Sequence, residues 1–147
     1  MKKIIVLLVV AGMLLGVLGA NSSFMPSFAK QSTVVAGDDT EVGRAFESRS
    51  SDVQVRGTGV VIRMLADDNV GSRHQKFILK LSSGQTLLIS HNIDLAPRLD
   101  LLSTGDTVEF YGEYKWNTKG GVVHWTHSDP RGKHIGGWLK HNGSTYQ

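Results

Sequence analysis

Cysteine is absent from the 147 residues. Its absence excludes disulfides, thiolate metal sites and an anchor through a lipid-modified cysteine. No apolar run reaches the ~20 residues that a membrane-spanning helix requires. No internal repeat is visible, and no motif names a reaction. A strong charge of one sign is also lacking: 16 Lys+Arg stand against 13 Asp+Glu. Lys2 and Lys3 belong to the N-terminal leader described next, so the remainder lies within one charge of neutral. Net charge therefore gives no support to a whole-protein polyanion binder.

What is present begins with a secretory pattern. Lys2 and Lys3 precede an apolar stretch from Ile4 to Leu18, interrupted by Gly12 and Gly16, and small residues follow. Two lysines, a short apolar core and small residues form the tripartite signal of an exported protein. Ser27-Phe28-Ala29 places the cut after Ala29, and Val17-Leu18-Gly19 is a second candidate site. An uncleaved anchor is the alternative, disfavoured by the polar, turn-like residues from Asn21 to Ser27. The expected organisation is a signal peptide over 1–29, a linker with a short helix over 30–51, and a β-barrel domain with a C-terminal extension over 52–147. The expected destination is the periplasm or the extracellular space. Neither stable membrane insertion after cleavage nor a disulfide-linked partner is expected.

Asp38, Asp39 and Thr40 suit the start of a helix carrying Val42, Ala45 and Phe46 on one side. From Asp52 the apolar period becomes two. Val53 and Val55 alternate with polar residues, Gly57-Thr58-Gly59 intervenes, and Val60, Ile62 and Met64 follow. This reads as one long strand whose inward face switches at the glycines, as a barrel corner requires. Phe77, Leu79 and Leu81 mark a second strand, and Leu87, Ile89 and His91 a third. Asp94–Leu102 reads as a short helical connector, with Pro97 tolerable only near its first turn. Val108, Phe110, Gly112, Tyr114 and Trp116 form the clearest alternation, Val122–Thr126 a fifth strand, and Asn142-Gly143 the turn of a hairpin. The fold class is therefore all-β with small α content. Its architecture is a five-stranded OB-like barrel with a short helix between strands 3 and 4, an N-terminal helix and a C-terminal hairpin. A β-sandwich and an SH3-like barrel are the alternatives.

Four blocks carry a resemblance: Asp67–Phe77, His91–Arg98, Gly121–His127 and Asp129–Gly132. They resemble a family of uncharacterised bacterial exported proteins, domain of unknown function 3465, over roughly residues 52 to 147. The resemblance implies no activity.

The C-terminal third concentrates chemistry. Lys115, Lys119, Arg131, Lys133 and Lys140 face the single acid Asp129, and all three tryptophans lie there with four of the six histidines. Cations interleaved with aromatics on an OB barrel suit single-stranded nucleic acid or a glycan. The leading expectation is thus an exported module binding an anionic ligand or polymer, with binding favoured over catalysis. Arg73, His74, His124, Arg131, Lys133 and Trp138 are its candidate ligand residues. Arg73 suits a two-pronged bond to phosphate or carboxylate, or alternatively a salt bridge to Asp67 or Asp68. The alternative function is a metal-dependent hydrolase, a nuclease or phosphoesterase. Its divalent metal would be held by His124, His127, Asp129 and His134, with His124, His127 and His91 as catalytic candidates. Regular strand geometry points His124 and His127 to opposite faces, so convergence needs the strand to end early. His91 shares the phase of Leu87 and Ile89, and a partly buried, satisfied core histidine is its favoured reading. A third reading is a partner-binding envelope protein whose histidines report acidity.

Overall fold

Alternating apolar residues mark where the chain can pair into sheet, and the computed structural model places strands at those positions. It describes residues 39–147. The expected signal peptide and the linker up to residue 38 lie outside the described residues. Helix α1 (Thr40–Glu47) precedes β1 (Val53–Met64), β2 (His74–Leu81), β3 (Thr86–Asn92), β4 (Thr107–Lys115), β5 (Val122–His124), β6 (Trp138–His141) and β7 (Ser144–Tyr146). The first five strands close in the order β1-β2-β3-β5-β4, with β4 returning to β1. Every pairing is antiparallel except β3 with β5. This is the OB-type barrel, and closure leaves β1 through β5 without an open edge along the ring.

Phe77, Leu79, Leu87, Ile89, Phe110, Tyr114, Val123 and Leu139 fill the barrel at 1% exposure or less. Burying each such side chain contributes about 1.5–3 kcal/mol. Helix α1 closes one side through buried Val42 and Ala45, while Phe46 packs against Trp116. Asp39 precedes the helix without capping it. Its carboxylate instead accepts from Ser82 N and Oγ on the β2–β3 turn. Glu41 accepts from the Arg56 amide, so two acids of the α1 segment tie it to the barrel.

Three expectations are corrected. The inward face of β1 does not switch at the glycines. Val55, Gly57, Gly59 and Val61 all point inward, and Val60 and Ile62 point out at 42% and 43% exposure. A side chain at Gly57 would press within 2.6 Å of the Phe110 ring, so the glycine makes room for a core aromatic. The register breaks later, between Val61 and Arg63, and only there does Met64 turn toward the core. The connector between β3 and β4 holds no helix. One turn forms from Asn92 O to Ala96 N, and beyond Pro97 the Gln75 side chain takes both Leu99 N and Leu99 O. Leu99 N is thus bonded to a side chain, and Leu99 O keeps only one long bond of helical type, from Leu102 N at 3.4 Å. The fifth strand stops at His124, two residues short of Thr126, because Trp125 adopts φ 53°.

One detail of topology positions the site. Strands β5 and β6 share one edge of β4: β5 pairs along Glu113–Lys115 and β6 along Glu109–Tyr111. The intervening residues 125–137 therefore leave and rejoin β4 at neighbouring positions. The Gly137 amide bonds to His127 O at 2.9 Å and closes the base of this excursion. The Asn142-Gly143 turn, positive in φ at both residues, folds β7 back on β6 as expected.

Candidate functional site

The geometry of the site follows from where β5 ends. Leaving the strand at Trp125, the chain buries Thr126 and His127 and returns over the barrel wall. Under this wall His91, fully buried on β3, bonds through Nδ1 to Thr126 Oγ1 at 2.8 Å and through Nε2 to Pro97 O at 3.0 Å. A carbonyl only accepts, so Nε2–H donates to Pro97 and the neutral ring accepts the Thr126 hydroxyl at Nδ1. Burial holds this imidazole down to about 4, so it stays uncharged at neutral pH. His91 therefore belongs to the floor of the site as a satisfied core group.

Above the floor a cleft of about 270 Å³ opens, lined by Ser72, His74, Asn92, Leu95, His124, Trp125 and His127. Three separate stretches build it: the β1–β2 connection, the end of β3, and the β5 end with its following loop. His74 is set opposite Asn92 by the β2–β3 register, and its Nδ1–H donates to Ser72 O at 2.7 Å. The His127 Nδ1–H donates to Ser128 O at 2.8 Å. In both rings the neutral form consequently leaves Nε2 as an acceptor. No carboxylate lines this cleft.

Glu113, outward on β4, flanks it. One carboxylate oxygen meets His124 Nε2 at 3.1 Å and the other meets His134 Nε2 at 2.5 Å. His134 also donates through Nδ1 to Ile135 O, so both of its ring nitrogens face acceptors. That pattern calls for the imidazolium. Burial opposes the charge, but the bonds to Glu113 and Ile135 outweigh it and raise the His134 pKa. For His124, burial prevails over the same carboxylate and lowers the pKa. The charged His134 ring stacks on Trp125 at 3.9 Å and 8°, and His127 lies 5.1 Å from the indole centroid. Trp125 thereby holds the excursion together and also lines the cleft.

The sequence candidates separate into groups. His74, His124 and His127 come together in the cleft, with His91 beneath. Arg73 stands beside it, but its amide and Nε both bond to Asp94, at 2.8 and 2.7 Å. The expected partners go elsewhere: Asp67 pairs with Arg98 and Asp68 with Lys76. The proposed metal set of His124, His127, Asp129 and His134 is not gathered around one point. The Asp129 carboxylate accepts from the backbone N–H groups of Arg131, Lys133 and His134, which hold its pKa below the usual carboxylate range. Among the described residues no three His, Asp or Glu side chains converge as ligands for a metal ion. Arg131 and Lys133 are exposed on that same turn. Trp138 lies outside the cleft lining, beside Tyr111 on the outer face of β6 and β4. Nothing in the sequence singles out Glu113. Its outward phase on β4 was readable, whereas its pairing opposite His124 was not.

The model of a family described as protein of unknown function, DUF3465, matches residues 24–147. No curated protein matches the chain.

Proposed function

This chain belongs to the DUF3465 family, and we propose that it is an exported binding module for an anionic ligand or polymer. The observation that carries this reading is the cleft in which His74, His124 and His127 meet Ser72 and Asn92 without a lining carboxylate. The Ser72 hydroxyl and the Asn92 amide N–H groups are donors in this cleft, and with no carboxylate in its lining they suit an anionic group such as a phosphoryl or sulfate ester. The volume of about 270 Å³ lies just below the usual range for small-molecule sites, so it suits one unit of a polymer or a small anion. Lys76 and Lys80 follow His74 on the outward phase of β2 and continue the same face of the barrel. The strand 2–3 face of OB barrels is the side on which oligomers bind.

The test is binding of a single-stranded oligonucleotide and of a heparin-like glycan to the full chain at low salt. Affinity is expected to fall about tenfold or more between about 50 and 200 mM salt, as release of counterions from a few contacts requires. A His74→Ala variant should bind more weakly. Failure to bind any polyanion at low salt rejects the reading.

A further inference from the structure

A second surface on the barrel carries two cations laid over aromatic rings. Tyr111 on β4 and Trp138 on β6 are opposed in register, their ring centroids 6.0 Å apart and tilted by 36°. Arg56, opposite Tyr111 on β1, places its guanidinium 5.6 Å from the Tyr111 centroid and 5.2 Å from that of Trp138. Lys140 adds its ammonium 4.5 Å from the Trp138 centroid. Arg56 and Lys140 are both exposed, and both rings are half-buried. Glu109 lies directly across from Lys140, yet neither cation makes an ion pair within 4.0 Å among the described residues. Neither cation is therefore committed to an ion pair among the described residues.

From this arrangement we infer that the Arg56–Tyr111–Trp138–Lys140 surface is a base-stacking platform, and that the polymer bound is a single-stranded nucleic acid. The chemistry discriminates between ligand classes. A sugar stacks its C–H face on an open aromatic ring, but here cations already lie over the rings. A nucleobase stacks on a guanidinium or aromatic plane alike, and its phosphate pairs with cations that hold no ion pair of their own. The platform also adjoins the cleft. Tyr111 and Glu113 are successive outward residues of β4, about 7 Å apart along the strand, and Glu113 bonds to the cleft histidine His124. The excursion 125–137 rejoins β4 at Tyr111, where Trp138 begins β6. One strand can thus meet bases at the platform and a phosphate at the cleft. The inference rests on the anion-binding reading for its phosphate contacts.

The experiment compares an oligothymidylate, an abasic phosphodiester oligomer of equal length, and a sulfated oligosaccharide of equal charge, each titrated into the full chain at low salt. The oligothymidylate is expected to bind about tenfold tighter than the abasic oligomer, the increment of roughly one stacked base. Tyr111→Leu and Trp138→Leu should each erase most of that difference while leaving abasic affinity within about twofold, the size expected if stacking is what they remove. Arg56→Gln, a change at an exposed side chain, is the second probe should either aromatic variant fold poorly. It should weaken oligothymidylate more than abasic binding. Equal affinity for the two phosphodiester oligomers would overturn the platform and leave the anion-binding reading standing. Tighter, Trp138-dependent binding of the sulfated oligosaccharide would overturn the nucleic-acid assignment. Absence of binding by all three removes both readings together.

Discussion

His91→Leu is expected to lower the unfolding free energy by about 2–3 kcal/mol near neutral pH, measured by urea denaturation. The imidazole is fully buried and bonds to Thr126 Oγ1 and Pro97 O. Leucine leaves the Thr126 hydroxyl buried and unpaired, at about 1–3 kcal/mol for such a group, and removes the bond to Pro97 O as well. The pH dependence gives a sharper signature. The folded value of about 4 lies below the ordinary 6.5, so the unfolded chain takes up a proton that the folded chain refuses. Stability from this residue is complete above pH 6.5 and is lost as pH falls toward about 4. The loss amounts to about 3 kcal/mol at roughly 1.4 kcal/mol per unit. His124 acts in the same direction, and His134, whose value is raised, acts oppositely. The wild type should therefore approach the variant in stability as pH drops. A gap that stays constant from about pH 7 to pH 4.5 would contradict the buried, neutral assignment of His91.

Gly121→Ala is expected to destabilise by about 3 kcal/mol or more, through overpacking added to backbone strain. Gly121 sits at φ 100°, where a side chain is strained, and a Cβ there would fall 2.2 Å from the Tyr114 ring. Tyr114 has nowhere to retreat, since it is fully buried and its hydroxyl donates to Gly120 O. The same turn is held by Asn117 Oδ1, which accepts from Lys119 N and Gly121 N. It launches β5, so the variant should also lose cleft binding at temperatures where the barrel remains folded. Thermal denaturation of the full chain measures the first effect. An unchanged midpoint would show that β5 tolerates a different start.

Much of the barrel was legible because its strands are half-buried and therefore alternate. Val108 to Trp116 and the Asn142-Gly143 hairpin could be read directly, and the strand order followed. The face of β1 is hidden in the sequence for a definite reason. Gly57 and Gly59 point inward but carry no side chain, so they vanish from an apolar pattern, and the outward Val60 and Ile62 look like the core. The absent helix before β4 reflects a competitor remote in sequence: the Gln75 side chain binds both backbone groups of Leu99. The same non-locality governs the site. Arg73 pairs with Asp94 rather than the nearer Asp67 or Asp68, because the β2–β3 register brings His74 opposite Asn92 and so places Asp94 beside it. The histidine clustering was visible in composition. What selected His74 as the partner of His124 and His127 was tertiary, whereas Asp129 is withdrawn locally, by the amides of Arg131, Lys133 and His134 in its own turn.

The convergence of the Ser72–His74 turn and the segment after Val123 on one cleft, which we propose binds anions, is most directly measured by following histidine ring resonances of the full chain while inorganic pyrophosphate is added. The expected result is that His74, His124 and His127 shift together with a single dissociation constant. His141, locked to Asp106 at 2.8 Å and absent from the cleft lining, should remain still. Resonances that do not move, or that move only at His141, would contradict it.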